Sequence, residues 1–241
     1  MSRGWHTHAV VIEGPERLSV DQLALQLPSE DDVVVDVEWS GISSGTERLL
    51  WFGRMPGFPG MGYPLVPGYE SVGRIAAAGS AALERRIGER VFVPGARCFG
   101  EIRGLFGGAA SRLVVPAARV TRVDEALGER AILLALAATA HHALAAPHAR
   151  PPELIVGHGV LGRLLARVSM ALGGPSPTVW ECNPARMGGA TGYDVSTAGS
   201  DGRRNYRAAY DASGDASLLD ELIDRLSHGG EVILAGFYIE P

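Results

Sequence analysis

Lysine is absent from this 241-residue chain, and all 22 basic residues are arginine. Schiff-base catalysis, a phosphate-loop lysine and a tyrosine–lysine catalytic pair are therefore excluded, because a guanidinium keeps its proton and cannot act as an amine. Cysteine is nearly absent. Cys98 and Cys182 stand far apart with no Cys-x-x-Cys spacing, which excludes a disulfide framework and a structural zinc lobe, and fits a reducing, cytoplasmic setting. Positive charge is in deficit: the formal net charge is −5, so no basic field draws the chain to a nucleic acid. A long apolar run is also missing. The most apolar stretch, Ala131 to Ala146, is too short to span a bilayer and carries His141 and His142, and the N-terminus lacks a secretory apolar core.

What remains is 46% hydrophobic and 20% charged, the balance of a soluble globular protein of one large domain or two ordinary ones. Short runs rich in Val and Ile, bounded by turn residues, predict strands at His8–Glu13, Asp32–Trp39, Ser71–Ala76, Arg90–Val93 and Ser111–Val115, an all-β first half. The Gly- and Pro-dense segment Leu49–Glu70 predicts no regular element, yet its aromatics and methionines require it to pack on something. Near residue 128 the pattern changes. A helix is expected over Glu129–Ala146. Beyond it come strands Glu153–Val156, Thr178–Glu181, Arg207–Asp211 and Glu231–Ala235, with helices Leu161–Leu172 and Ser217–Leu226 and a faint strand at Tyr193–Ser196. Alternating strands and helices imply a parallel sheet. The expected class is α/β, with a β-rich domain over 1–127 and a doubly wound domain over 128–241.

The strand ELIV runs into GHGVLG and then a helix, placing Gly157, Gly159 and Gly162 in G-x-G-x-x-G spacing. The first glycine allows the turn, the second lets backbone approach a pyrophosphate, and the third lets the helix lie close on the strand. Val160 and Leu161 open that helix, and their N–H groups are candidate pyrophosphate donors. Glu181 ends the next strand, near the spacing of about 20 residues expected of a carboxylate that holds ribose hydroxyls. A bound dinucleotide follows, with NAD preferred over NADP because Glu181 would meet a 2′-phosphate with like charge. His158, inside the turn, is expected to point outward.

These residues, with SGISSGTE (Ser40–Glu47), PGYESVG (Pro67–Gly73), GERVFVPG (Gly88–Gly95) and TAHHAL (Thr139–Leu144), resemble the medium-chain dehydrogenase/reductase superfamily over nearly the whole chain. The longer string SGISSGTERLLWFGRMPGFPGMGYPLVPGYESVGRI and PGARCFGEIRGLFGGAASRLVVP resemble one family within it, the bacteriochlorophyllide a dehydrogenases. The resemblance implies a GroES-like catalytic domain followed by a Rossmann domain, and NAD-dependent oxidation of a 3-(1-hydroxyethyl) bacteriochlorin to its 3-acetyl form. It also implies that Thr139 contributes to the cofactor site and that a full-length member is a homo-oligomer.

The departures bear on mechanism. Where zinc members of the superfamily place a Cys and a His ligand, this chain has Ser43 and Tyr69, so no metal is expected. The alcohol proton then needs another acceptor or a hydroxyl relay, and Ser43, Thr46, Tyr69 and Glu70 are the candidates, with His141 nearby in the motif. A histidine on an Ala-rich helix is otherwise a packed core residue, and Glu70 has a rival reading as a structural partner of an arginine. For a flat tetrapyrrole with a carboxylate, Trp51, Phe52, Met55, Phe58, Met61 and Tyr63 offer apolar surface and Arg48 or Arg54 a cation. The alternative is that these aromatics only pack the loop. Two other functions stay open: a quinone-reductase-like NAD(P)H oxidoreductase, and a catalytically idle pigment or nucleotide binder. The chain stops just after its fifth predicted strand of a 3-2-1-4-5-6 order. The expectation is therefore a truncated member in which Glu231–Phe237 is an exposed apolar edge.

Overall fold

The computed structural model describes residues 5–82 and 84–238. The chain divides into two units, Met1–Ala135 and Leu136–Pro241.

The first unit is built on β1 (His6–Gly14), β2 (Arg17–Ala24), β3 (Asp32–Ser40), α1 (Thr46–Trp51), β4 (Leu65–Val66), β5 (Ser71–Ala78), β6 (Arg90–Val93), β7 (Arg103–Gly104), β8 (Arg112–Pro116) and β9 (Thr121–Arg122). Among the described residues, one sheet runs β2-β1-β4-β7 and the other β8-β3-β5-β6-β9. Central strands bury consecutive Val33, Val34 and Val35, and these pack with Val11, Ile75, Val91, Val93, Leu113 and Cys98. Cys98 is thus a small buried hydrophobe. The expected all-β half is corrected by α1, which takes up the start of the segment read as irregular. Its Leu50 drives this, packing with Ile12, Met55, Leu65 and Leu105 in a separate small core. β2 escaped the sequence reading because it is an edge strand, paired only with β1, that leaves Leu18 and Val20 exposed.

The expected helix over Glu129–Ala146 is broken in two. Glu125–Leu133 forms 3₁₀ turns interrupted at Gly128, whose φ of 52° is outside the helical range. Only α2 (Leu134–Leu144) is α-helical. The break lets Ala131 and Ile132 pack on Val72, Phe92 and Val123 of the first unit.

The second unit contains β10 (Leu154–Val156), α3 (Val160–Ala171), β11 (Thr178–Trp180), β12 (Asp194–Ser196), β13 (Tyr206–Asp211), α4 (Leu219–Arg225) and β14 (Leu226–Leu234). Its sheet is parallel in the order β12-β11-β10-β13-β14, the first five positions of the expected winding. β10 is apolar at every position because both of its faces are covered. Ile155 packs with Leu165 and Ala166 of α3, while Leu154 and Val156 pack with Leu222 of α4. Among the described residues β14 pairs only with β13, and Leu234 and Phe237 near its end are exposed. No described helix is long and apolar enough to cross a membrane.

Candidate functional site

The second unit presents a glycine turn between β10 and α3. Gly157 takes φ +93°, a backbone conformation that side chains resist, and its N–H bonds Trp180 O at 2.8 Å. A Cβ on Gly162 would lie 1.8 Å from Gly157 O, so only glycine lets the helix approach this turn. Gly159 faces open space and caps α3 without a side-chain hydrogen bond, so the first N–H groups of the helix, those of Val160 and Leu161 included, have no side-chain cap.

Glu181 follows β11 directly. It is buried, and its carboxylate accepts the His158 N–H at 3.0 Å and the Asn183 N–H at 2.8 Å. Burial works against its charge. The N–H groups of Asn183 and His158 and the positive Arg186 outweigh that, and hold the carboxyl below the usual range. Each carboxylate oxygen retains a lone pair for a ligand hydroxyl.

His158 corrects the sequence reading. Its ring is fully buried, with Nδ1 2.6 Å from Arg186 O and Nε2 2.8 Å from the Tyr193 hydroxyl. The partners that turn it inward lie 28 and 35 residues away, beyond the reach of local pattern. Thr139 and His141 lie exposed on α2, flanking its buried Ala140, so His141 is not the packed core residue its surroundings suggested.

The first unit gathers a second set of groups where the end of β3, the start of α1 and the entry to β5 converge. Ser43 Oγ accepts the Thr46 N–H at 3.2 Å, Thr46 Oγ1 lies 3.3 Å from the Tyr69 hydroxyl, and Tyr69 packs edge-on against Phe106. Ser43, Thr46, Tyr69 and Glu70 are therefore brought together. Burial raises Tyr69 above the usual phenol range, the Ser43 and Thr46 hydroxyls oppose it, and Glu47 and Glu70 reinforce it.

Glu70 is buried with Oε1 unpartnered, and its carboxyl lies so close to Gly41 that a Cβ there would be 2.3 Å from Oε2. Its rival reading as an arginine's partner fails, since no ion pair to Glu70 exists among the described residues. Burial raises its carboxyl, with only the neighbouring Tyr69 hydroxyl drawing it down.

Sequence reasoning missed Glu47. Its carboxylate accepts the Ser43 N–H at 2.9 Å while Ser43 Oγ takes the Thr46 N–H, a reciprocal exchange akin to a capping box. The Ser-Ser-Gly-Thr-Glu string was the available signal. Burial, then the adjacent Glu70, push the Glu47 carboxyl up to about 7 against the pull of backbone N–H groups from Glu47, Ser43 and Gly68. No three His, Cys, Asp or Glu side chains among the described residues are grouped to hold a metal ion.

The loop after α1 divides its side chains. Met55 is buried, and Met61 and Tyr63 pack beside it, the Tyr63 hydroxyl donating to Leu50 O at 2.5 Å. Phe52 and Phe58 are exposed and Trp51 is half-buried. Arg48 and Arg54 both lie over the Phe52 ring, at 6.0 and 5.8 Å, leaving two cations beside exposed aromatic surface.

Residues 29–125 match the alcohol dehydrogenase GroES-like domain. The chain is 56% identical to the 2-desacetyl-2-hydroxyethyl bacteriochlorophyllide A dehydrogenase of Rhodobacter capsulatus, a match covering 98% of this chain and 75% of that protein. It is 54% identical to the protein of the same name from Cereibacter sphaeroides, with the same coverage. Its fold is also that of a short chain alcohol dehydrogenase from Escherichia coli CFT073 solved with NADH, with a TM-score of 0.80 at 24% identity, covering 99% of this chain and 78% of that one. Identity of this degree along nearly the whole sequence, on a GroES-like domain followed by a glycine-turn parallel sheet, means that the chain belongs to the 2-desacetyl-2-hydroxyethyl bacteriochlorophyllide A dehydrogenase family.

Proposed function

We propose that this protein oxidises the 3-(1-hydroxyethyl) group of a bacteriochlorophyllide to the 3-acetyl group, with NAD as the oxidant. The observation that carries the reading is the 56% identity over 98% of the chain, which takes in both the glycine turn and the hydroxyl–carboxyl cluster. The turn fits a dinucleotide: Gly159 faces open space, the first N–H groups of α3 have no side-chain cap, and Glu181 keeps free lone pairs. Glu181 would hold the ribose hydroxyls, and its negative charge favours NAD over NADP.

When bound, the nicotinamide supplies the acceptor for the hydride that leaves the carbinol carbon. The proton on the alcohol oxygen is left for the protein. Ser43, Thr46 and Tyr69 are hydroxyls that can pass it on but not keep it, whereas Glu70 has a bare, buried carboxylate oxygen and a raised affinity for a proton. Glu70 is thus the acceptor this arrangement favours. The exposed faces of Trp51 and Phe58 would meet the flat ring, and Arg48 or Arg54 its carboxylate, with Tyr63 supporting the loop from beneath.

Incubation of the purified protein with NAD and 3-hydroxyethyl bacteriochlorophyllide should produce NADH together with a red-shifted pigment absorption, as the acetyl carbonyl conjugates with the ring. A pigment left unchanged, or turnover only in the direction of NAD(P)H oxidation by quinones, would overturn the proposal.

A further inference from the structure

His158 sits between the first two glycines of the turn, where a small residue would satisfy the backbone, and it is fully buried. A carbonyl oxygen only accepts, so the 2.6 Å contact with Arg186 O requires the proton on Nδ1. In the neutral ring Nε2 is then bare and accepts the Tyr193 hydroxyl at 2.8 Å. The backbone is engaged as well. Its N–H goes to the Glu181 carboxylate, and its carbonyl accepts Arg163 Nε at 3.0 Å.

One residue of the turn is thus bonded to the end of β11, to the segment that follows it, to the residue preceding β12 and to α3. Arg163 extends the strap: its Nη2 donates to Arg186 O at 2.9 Å and Gly188 O at 2.8 Å, and Arg167 reaches Gly189 O at 3.3 Å. A segment with two adjacent glycines, Gly188 and Gly189, would otherwise have wide conformational freedom.

We infer that His158, as a neutral Nδ1–H tautomer, is the positioning residue that holds the 181–193 segment, and with it Glu181, in the shape that binds the adenosine half of the dinucleotide. This rests on the dinucleotide reading above. The charged and titratable groups facing the ring are Arg163 and Arg167 of α3, Glu181 after β11 and Tyr193, with the Arg186 carbonyl from the strapped segment. Burial and the arginines oppose a second proton on the ring, the Arg186 carbonyl and Glu181 favour it, and the balance lies below the ordinary histidine range.

The test is titration of the full chain with NADH, followed by nucleotide fluorescence, for wild type, His158→Ala, His158→Asn and Tyr193→Phe. His158→Ala should weaken NADH binding about tenfold or more, with KM for NAD rising far more than kcat falls. His158→Asn keeps a donor near the Nδ1 position and should recover part of the affinity. Tyr193→Phe removes a single hydroxyl and should cost a few-fold. Wild-type affinity should fall only at a pH below the ordinary histidine range, and His158→Asn should lose that dependence. Unchanged NADH affinity in the folded variants, or a fall in kcat as large as the rise in KM, would overturn the inference. If His158→Ala does not fold, the other two variants decide. A wild-type protein that binds no NADH would instead overturn the dinucleotide reading beneath it.

Discussion

Among the described residues four glutamates are nearly closed to solvent, with Glu70 4%, Glu181 7%, Glu153 8% and Glu47 9% exposed, yet they divide by unit. In the first unit Glu47 is pushed up to about 7 and Glu70 is also raised. In the second, Glu153 and Glu181 are both held below the usual range. Burial raises all four carboxyls, but Glu47 and Glu70 lie deeper among protein atoms and it dominates there, whereas in the second unit it is outweighed. Glu153 is paired with Arg203 and Arg207, and Glu181 receives two backbone N–H groups near Arg186. Glu70 has a bare oxygen, and Glu47 has Glu70 for a neighbour. The depth of a buried carboxyl and its company together set how tightly it holds a proton. On the proposed function, the first unit would supply the proton acceptor and the second the carboxylate that holds hydroxyl groups.

The largest effect should come from removing the bare carboxylate. Glu70→Gln keeps the shape and abolishes the acceptor, so kcat for pigment oxidation should drop about 100-fold or more while NADH binding stays intact. Steady-state kinetics beside an NADH titration checks this, and an undiminished kcat would move the proton acceptor elsewhere. Next is the ionised side of the comparison. Glu181→Ala should weaken NADH about tenfold or more and narrow the gap to NADPH, as parallel titrations with the two nucleotides would show.

A smaller effect concerns stability. The folded-state pKa of Glu47, about 7, lies above its ordinary value of 4.5, so the folded protein binds this proton more tightly than the unfolded chain. The resulting stabilisation is complete below 4.5 and is lost as the pH rises through about 7. Glu47→Gln has no such loss. Between pH 4.5 and 8 the variant should gain on wild type by about 2 kcal/mol, read from urea unfolding at the two pH values. Smallest of all, Trp51→Ala should raise KM for the pigment by about three- to fivefold and leave that for NAD unchanged, since it trims apolar surface without touching either carboxyl set.

The sequence was most legible where structure is local. The glycine turn, its helix and the strand order follow from spacing and from the burial of a parallel sheet, and their outlines agree with the structure to within a residue or two over β10, α3 and β11. It was least legible where a residue's fate depends on what distant chain covers it. Tyr193 and Arg186 turn His158 inward from another part of the fold. The Gly128 break was hidden inside an alanine- and leucine-rich stretch whose composition reads as continuous helix. Of the candidate cluster in the first unit, Ser43, Thr46, Tyr69 and Glu70 were identified through motif resemblance. Glu47 was missed because its unusual proton affinity arises from burial and from Glu70, a neighbour only in the folded chain.

The two cysteines now acquire different chemical fates. Cys98 is buried, its thiol pushed up to about 11 by that burial, whereas Cys182 is exposed and stands immediately after Glu181, at the head of the segment strapped by His158. Thiol alkylation at neutral pH therefore distinguishes them, because it needs an accessible thiolate. The protein thus carries a natural single-site attachment point for a fluorophore or spin label, within one residue of the carboxylate proposed to hold the ribose. Ordering of that segment can be followed from this position without introducing a foreign residue.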